Sequence, residues 1–291
     1  MSKPVNEKVV EKMGDSRSFA VFGNPIKHSR SPLIHSAFAA ECGLSLSYRA
    51  VRVERGDFHR AVTAFFAAGG TGLNVTVPFK EEAAAMAVLP TPRASRAGAV
   101  NTLWQDVDGV LHGDTTDGVG LVRDMVANLG WTLQSARVLI VGAGGAVRGV
   151  LEPLLRELPA SVHIVNRSVE RAEQLAHEFG SLGDVTAGAY DALGDTQFDV
   201  VINASSAGLD GVAPALPAGI LTERCCCYDL LYGAEPTPFM RWAAHNAAWA
   251  VSDGLGMLVE QAAEAFYVWH RKRPETQVVI QQLRGVLAAA A

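Results

Sequence analysis

The chain has 291 residues, of which 49% are hydrophobic and 19% are charged, with a formal net charge of −5. This composition is typical of a globular protein with one large or two ordinary domains, and it excludes a sequence-wide basic surface for nucleic acid. No apolar run reaches the length that a membrane-spanning helix needs. Residues 1–17 are polar and mixed in charge, so they predict a short flexible extension and not a signal peptide.

The first half of the chain alternates strands and helices. Residues 18–23, 47–53 and 72–78 are predicted strands, and each is followed by a predicted helix. Ser31 is predicted to cap the first of these helices, with Pro32 at its first helical position. Such a βαβ series implies a parallel sheet covered by helices.

Lys80 follows a β-rich run that ends in Pro78. Proline cannot donate a bond to a β-ladder, so the strand is predicted to end there, with the lysine just past it. Period-two alternation places Asn74 and Thr76 together on the face opposite Leu73. Taken alone, this stretch favours a half-buried edge strand with a solvated lysine.

After a polar, turn-rich passage that contains GDTTDG, a second series begins at Ala136. Strands are predicted for RVLIV, SVHIV, FDVVINA and CCCYDLLY, and a long helix over residues 255–273 follows. Adjacent cysteines rarely pair and no metal-ligand spacing is present, so residues 225–227 predict a buried strand that uses cysteine as a small apolar residue. Unpaired thiols favour a reducing cytoplasm.

The turn after RVLIV predicts a dinucleotide site. Its small residues lie between a strand and a helix, where backbone N–H groups can approach a pyrophosphate. The strict GxGxxG spacing is not met, because Val147 takes the third position. The predicted contacts are Gly142, Ala143, Gly144, Gly145 and Ala146.

The strand SVHIV is followed by basic residues, at the position where NAD-binding folds usually have an acidic residue. Asn166 and Arg167 follow the strand, Ser168 is predicted to cap the next helix, and Arg171 lies one turn on. Two guanidinium groups favour a 2′-phosphate, and arginine is otherwise disfavoured at a helix N-terminus. The predicted cofactor is NADP(H), and an ordinary solvated helical turn is the alternative.

Nine motifs stand in an order that closely resembles the shikimate dehydrogenase family. They are GNPIKHSRSPLIH, GLNVTVPFKE, AGAVNTL, GDTTDGVG, GAGGA, NRS with Arg171, INASSAG, YDLLYG with TPF, and DGLGMLVEQA. The resemblance covers residues 18–270 and implies a two-domain α/β fold with the active site in the cleft. A discontinuous substrate-binding domain would comprise residues 1–118 and 253–291, and a Rossmann-like NADP-binding domain would comprise residues 119–252.

The resemblance also implies a reaction, the reversible NADPH-dependent reduction of 3-dehydroshikimate to shikimate on the route to chorismate and the aromatic amino acids. Lys80 and Asp117 would be the catalytic pair. Thr115 stands where the family usually has Asn. The implied substrate-binding residues are Ser29, Ser31, Asn74, Thr76, Asn101, Tyr232 and Gln261, and Leu230 and Gly254 would contact the nicotinamide end.

Elementary chemistry agrees with these roles. Hydride transfer to a ketone builds an alkoxide, which needs a proton donor within about 3 Å. Lys80 can supply that proton, and Asp117 beside it would keep the lysine charged and oriented. A polyhydroxylated acid needs several neutral hydrogen-bonding side chains, which Ser, Thr, Asn, Tyr and Gln provide.

Two alternatives remain open at this point. Quinate has one more ring hydroxyl than shikimate, and sequence separates the two substrates poorly, although the second serine of SRS favours shikimate. A non-catalytic NADP-binding regulator on the same fold would be expected to lack Lys80 or Asp117. We expect a cytoplasmic monomer or homodimer that takes a small-molecule substrate, with no nucleic-acid, membrane or metal partner.

Overall fold

The computed structural model describes residues 17–289. The predicted flexible extension therefore lies outside the described residues, apart from Arg17, which begins the first strand. Within residues 17–289, no helix is both long and apolar enough to cross a membrane.

The first sheet is built from the N-terminal part of the chain. Its strands are β1 (Arg17–Gly23), β2 (Leu46–Arg52), β3 (Gly70–Val75), β4 (Leu89–Pro90), β5 (Thr102–Gln105) and β6 (Leu111–Asp114). Their order in the sheet is β2-β1-β3-β5-β6-β4. The helices of this part are α1 (Ser31–Glu41), α2 (Phe58–Ala67), α3 (Lys80–Met86), α4 (Pro92–Ala97) and α5 (Asp117–Arg123), and a π-helical turn, Asp124–Asn128, continues α5.

This sheet is mixed, whereas the sequence predicted a parallel one. Strands β2, β1 and β3 are parallel, but β5 pairs antiparallel with both β3 and β6. The physical reason is the short connection over residues 106–110, which joins β5 to β6 as a hairpin and leaves no length for a crossover. Both strands fall in the passage that the sequence analysis treated as turns.

The second sheet is parallel throughout. Its strands are β7 (Arg137–Val141), β8 (Ser161–Val165), β9 (Val185–Gly188), β10 (Phe198–Asn203), β11 (Leu221–Asp229) and β12 (Ala250–Ser252), in the order β12-β11-β10-β7-β8-β9. This is the doubly wound order of dinucleotide-binding folds, with its switch point between β7 and β10. The helices of this part are α6 (Gly145–Arg156), α7 (Val169–Phe179) and α8 (Pro238–His245), and after β12 the chain continues with α9 (Leu255–His270) and α10 (Gln277–Ala288). The predicted α/β class is confirmed.

Two predicted details of these elements can be compared directly with the structure. The cysteine strand is confirmed, because Cys225 and Cys227 lie in β11 with no solvent exposure. The cap of α1 is wrong, because Arg30 occupies the N-cap position and Ser31 is already helical. The hydroxyl of Ser29, two residues earlier, accepts a bond from the Ser31 N–H at 3.3 Å.

The chain crosses between the two sheets through α5 and returns through α9. Helix α9 packs against α1 of the first part and, through Leu255 and Val259, shares a core with α10. Helix α5 lies between α6 and α9. These contacts hold the two sheets together along one side and leave a cleft on the other.

An aromatic cluster under α9 encloses a histidine. His35 is 1% exposed and stacks on Tyr48, with ring centroids 4.3 Å apart. Neither of its ring nitrogens has a hydrogen-bond partner among residues 17–289. The pKa of His35 is lowered to about 3, chiefly by burial and also by the nearby His270, while Asn74 opposes the shift.

This burial predicts an acid-sensitive fold. An unfolded His35 takes up a proton below its ordinary pKa of 6.5, while the folded one stays neutral down to about 3. The free energy of unfolding should therefore keep this contribution above pH 6.5 and lose up to about 1.4 kcal/mol per pH unit as the pH falls below it. His35→Phe, which keeps an aromatic ring, should show a shallower loss in urea denaturation between pH 6.5 and 5. The exposed His59→Gln is the control, and a His35→Phe slope equal to the wild-type slope would contradict the account.

Candidate active site

Lys80 and Asp117 meet at one edge of the first sheet. Lys80 Nζ donates to Asp117 Oδ2 at 2.5 Å, although the residues are 37 positions apart in the chain. Lys80 begins α3 after β3, and Asp117 begins α5 after β6. Strands β3 and β6 both pair antiparallel with β5, so they run in the same direction and end at the same edge. The sheet register therefore brings the predicted pair together.

Asn101 holds the carboxylate of this pair in place. Its Nδ2 donates to Asp117 Oδ1 at 2.9 Å, so the two carboxylate oxygens bind two different side chains. The amide itself is oriented from the other end, because Asn101 Oδ1 accepts the Thr116 N–H at 3.0 Å and the Thr102 hydroxyl at 2.9 Å. Asn101 is 3% exposed, which limits its freedom to turn.

The side-chain amide of Asn74 is largely engaged in hydrogen bonds within the protein. Its Nδ2 donates to the Asn101 carbonyl and to the Thr102 hydroxyl, both at 3.1 Å, and its Oδ1 accepts the Tyr48 hydroxyl at 2.7 Å. Both amide protons are thus used inside the protein, and one oxygen lone pair remains. Asn74 lines the site, but its amide chiefly joins β3 to β5.

A cavity of about 370 Å³ opens in front of the pair, between the two sheets. Every substrate-binding residue that the resemblance implied lines this cavity, and these residues come from both sides of the cleft. These are Ser29, Ser31, Asn74, Thr76, Asn101, Tyr232 and Gln261, together with Lys80, Asp117, Leu230 and Gly254. The last two touch each other, since a Cβ at Gly254 would lie 2.3 Å from the Leu230 carbonyl oxygen.

The same cavity is lined by residues that the sequence analysis did not single out. Arg30 lies between the two predicted serines, and His28 precedes them. Met257 lies one turn before Gln261 on α9. The SRS motif already contained Arg30, but adjacency in sequence does not reveal whether a side chain turns toward a cleft.

A second cavity, of about 590 Å³, lies at the carboxyl edge of the second sheet. It is lined by Gly142, Ala143, Gly144, Asn166, Arg167 and Arg171. It lies beside the β7–β10 switch point, where doubly wound folds bind dinucleotides. Gly142 has φ +117°, which a side chain would strain, and a Cβ there would lie 3.0 Å from the Ala204 carbonyl oxygen. The turn therefore leaves room for a ligand's phosphates close to the backbone.

Five of the predicted cofactor contacts do not line this cavity, and two of them, Leu230 and Gly254, line the first cavity instead. Gly145 and Ala146 form the first turn of α6, and Ser168 precedes α7 without a side-chain capping bond, so its predicted cap is wrong. The Ser168 carbonyl instead accepts Asn166 Nδ2 at 3.0 Å. Tyr190, Ser205 and Ser206, which the sequence did not predict as contacts, also line the cavity. The motif INASSAG was the available indication of the two serines.

Arg167 and Arg171 give this cavity a cationic wall. Within residues 17–289, neither side chain forms an ion pair or a hydrogen bond. Burial raises the pKa of the Tyr190 phenol, and the positive charge of Arg167 opposes that rise. Asp210 also lines the cavity. Two unpaired guanidinium groups beside a glycine turn fit a dinucleotide that carries an additional phosphate.

Thr115, where the resemblance led us to expect Asn, is buried close to Asp117. Its N–H donates to Asp114 Oδ1 at 2.8 Å. Its hydroxyl faces Gly149 of α6, since a Cβ at Gly149 would lie 3.3 Å from Thr115 Oγ1. The side chain therefore faces the nucleotide-side helix.

Three family models match the chain in order. Residues 21–103 match the shikimate dehydrogenase substrate binding domain, residues 124–212 match shikimate / quinate 5-dehydrogenase, and residues 254–284 match the shikimate 5′-dehydrogenase C-terminal domain. The NADP(+) shikimate dehydrogenase of Cellvibrio japonicus is 55% identical over 269 residues, which are 92% of this chain and 97% of the relative.

Solved structures are similar over the same extent. An Ael1 enzyme from Pseudomonas putida is 43% identical with a TM-score of 0.87, covering 92% of this chain and 98% of its own. Shikimate 5-dehydrogenase from Thermus thermophilus, in complex with NADP(H) and shikimate, is 34% identical with a TM-score of 0.83. That match covers 93% of this chain and 100% of the other.

The close contact of α5 with α9 generates a stability prediction. A Cβ at Gly120 would lie 2.6 Å from the backbone N of Gln261, and backbone cannot move aside cheaply. Gly120→Ala should therefore lower the free energy of unfolding, even though alanine is the better helix former by about 1 kcal/mol. Gly285→Ala in α10 is the matched control, because its Cβ would meet no atom of residues 17–289 within 4 Å. In urea denaturation, Gly120→Ala should lower the free energy of unfolding and Gly285→Ala should raise it. Equal changes in the two variants would contradict the packing argument.

Proposed function

The chain belongs to the shikimate dehydrogenase family, and we propose that it catalyses the reversible NADPH-dependent reduction of 3-dehydroshikimate to shikimate. The observation that carries this proposal is the Lys80–Asp117 contact of 2.5 Å on the wall of a cavity lined by neutral hydrogen-bonding side chains. A regulator with no catalytic role would have no need of a proton donor held there. The product would then serve the biosynthesis of aromatic amino acids.

Lys80 is the proposed proton donor. When bound, the nicotinamide supplies the hydride in the reduction and accepts it in the reverse direction. As negative charge develops on the carbonyl oxygen, Lys80 Nζ donates a proton to that oxygen, and the product is a secondary alcohol. In oxidation the neutral amine takes the hydroxyl proton back.

Asp117 and Asn101 are proposed to hold the donor. The Asp117 carboxylate orients the ammonium group through Oδ2, while Asn101 fixes the other carboxylate oxygen at 2.9 Å. Such preorganisation lowers the cost of aligning groups at the moment of reaction.

Ser29 and Ser31 are proposed to bind the substrate carboxylate. The Ser29 oxygen accepts the Ser31 N–H at 3.3 Å, which leaves the Ser29 hydroxyl proton free to donate to an anion. Ser31 lies at the N-terminus of α1, where the helix dipole favours negative charge. Thr76, Tyr232 and Gln261 are proposed to bind the ring hydroxyls and close the pocket.

The proposed cofactor is NADP(H). The turn at Gly142 and Gly144 would hold its pyrophosphate, and Arg167 and Arg171 would hold its 2′-phosphate. Leu230 and Gly254, which lie between the catalytic pair and the second sheet, would contact the nicotinamide end through backbone atoms. The fit rests on the open backbone turn and on the two unpaired arginines.

The division into domains is proposed as predicted, with residues 1–118 and 253–291 forming one domain and residues 119–252 the other. The separate six-stranded sheets and the crossings at α5 and α9 support it. A monomer or homodimer stays a prediction, and so does a reducing cytoplasm, which the four free thiols fit.

Steady-state assays of the wild-type enzyme test the proposal. Shikimate and quinate should each be tried with NADP⁺ and with NAD⁺. Oxidation of shikimate by NADP⁺ with the highest kcat/KM of the four pairs is the expected result. Preference for quinate would identify the alternative substrate, and no turnover of either acid would support the regulator.

Removal of the proton donor should reduce turnover and leave cofactor binding intact. Lys80→Ala should lower kcat by about 10²- to 10⁴-fold, the usual range for a lost acid–base group. Asp117→Asn keeps the shape and removes the charge that orients the ammonium group, so it should also lower kcat. NADP⁺ affinity, measured by fluorescence titration, should stay unchanged because both residues lie outside the second cavity. A Lys80→Ala variant with most of its kcat would contradict this role.

Arg167 should discriminate between the two cofactors. Each arginine–phosphate contact is worth about 1.5 to 3 kcal/mol, which is roughly ten- to hundredfold in affinity. Arg167→Ala should raise the KM for NADP⁺ by that factor and leave the KM for NAD⁺ nearly unchanged. Arg137→Ala is the control, because Arg137 begins β7 at the opposite edge of the sheet and pairs with Asp199. If Arg167→Ala weakened the binding of NADP⁺ and NAD⁺ equally, Arg167 would contact a portion of the cofactor that both molecules have in common.

A further inference from the structure

Arg30 is the one residue of SRS to which the mechanism above assigns no role. It is half-buried, lines the substrate cavity and occupies the N-cap position of α1. A cation is disfavoured at this end of a helix, because the dipole there favours anions. Within residues 17–289 the guanidinium forms no hydrogen bond or ion pair, so no protein carboxylate offsets the unfavourable placement.

The charges that line the cavity do not cancel. Lys80 and Asp117 neutralise each other at 2.5 Å. Arg30 remains, and Asp117 is the only acidic residue among the described residues that line this cavity. The cavity therefore has a surplus of one positive charge, located at its serine end. A ligand with a single negative charge at that end would complete the balance.

Tyr232 lines the same cavity as Arg30 from the other side of the cleft. Burial raises the pKa of the Tyr232 phenol, and the positive charge of Arg30 opposes the rise. Arg30 comes from the first sheet's side and Tyr232 follows β11 of the second, so the guanidinium and the phenol lie near one another across the opening. Ser29 and Ser31 complete the same end of the cavity.

We propose that Arg30 pairs with the carboxylate of the substrate and makes the enzyme select acids over neutral molecules of the same shape. The inference rests on the proposed function and deepens it. Neutral serine hydroxyls donate to an ester carbonyl as well as to a carboxylate, so they distinguish the two weakly. An arginine can bind a carboxylate through two parallel N–H donors and an opposite charge. An ester has no negative charge, so it gains much less from the same arginine.

The test compares shikimate with its methyl ester, which has the same ring and hydroxyls but no charge. In wild-type enzyme, kcat/KM should be higher for the acid than for the ester. Arg30→Gln should raise the KM for shikimate by about ten- to hundredfold and leave kcat within about threefold, since the contact persists from ground state to transition state. For the methyl ester, Arg30→Gln and wild type should have the same kcat/KM.

Two further variants separate charge from shape. Lys27→Gln removes a positive charge three residues away that does not line the cavity, so its kinetics should match wild type. Arg30→Lys keeps the charge but loses the two-pronged geometry, and it should recover part of the preference for the acid. Added salt should weaken shikimate binding more in wild type than in Arg30→Gln, because ions screen the lost attraction.

The outcomes are distinguishable from a failure of the proposed function. If wild-type enzyme does not oxidise shikimate at all, the proposed function fails. If it does, but Arg30→Gln lowers kcat/KM equally for acid and ester, Arg30 only shapes the pocket and the inference is overturned. Kinetics of Arg30→Gln that match Lys27→Gln would overturn it too. Unchanged NADP⁺ affinity and an unchanged unfolding curve establish that the variant is folded.

Discussion

Lys80 and Asp117 reach each other only because β3 and β6 leave the first sheet at the same edge. That geometry depends on β5, which pairs antiparallel with both strands and gives them a common direction. Asn74 joins β3 to β5 through the Asn101 carbonyl, and Asn101 in turn holds Asp117. A shift of one residue in the register of β3 would turn Asn74 to the other face of the sheet and displace Lys80, which follows that strand. The geometry of the Lys80–Asp117 pair is thus a consequence of strand pairing.

The two halves of the cleft are joined by helices that approach too closely for most side chains. A Cβ at Gly118 would lie 2.4 Å from the Gly149 carbonyl oxygen, and one at Gly256 would overlap the Asp124 carboxylate. Tyr228 donates to that carboxylate at 2.6 Å, from the second sheet, and burial raises the pKa of Asp124. The crossings at α5 and α9 therefore fix the side of the cleft opposite the opening, and they hold Gln261 beside Asn101.

Among the described residues, some arginines are paired with carboxylates, and others line a cavity without such a partner. Arg93 binds Asp114 with two hydrogen bonds, at 2.7 and 2.6 Å, and also contacts Glu264, so it braces the segment that leads to Asp117. Arg30 and Arg167 face cavities and have no such partner within residues 17–289. Paired cations support the architecture, while unpaired ones in concave places are available to anionic ligands. This contrast underlies both the cofactor proposal and the inference about Arg30.

The sequence by itself determined the α/β class, the two series of strands and helices, and the chemistry of the motif residues. Those features follow from local periodicity, from glycine turns and from side-chain type, all of which act over a few residues. Only the tertiary structure decided the antiparallel place of β5, because that depends on pairing between distant segments. The tertiary structure also decided that Ser31 and Ser168 do not cap their helices and that Arg30 lines the cavity. It further decided that Asn74 donates both of its amide protons to groups within the protein. A side chain's hydrogen-bond partners are the atoms that the fold brings within about 3 Å of it. Many of those atoms are far away in the sequence, so the local sequence does not reveal them.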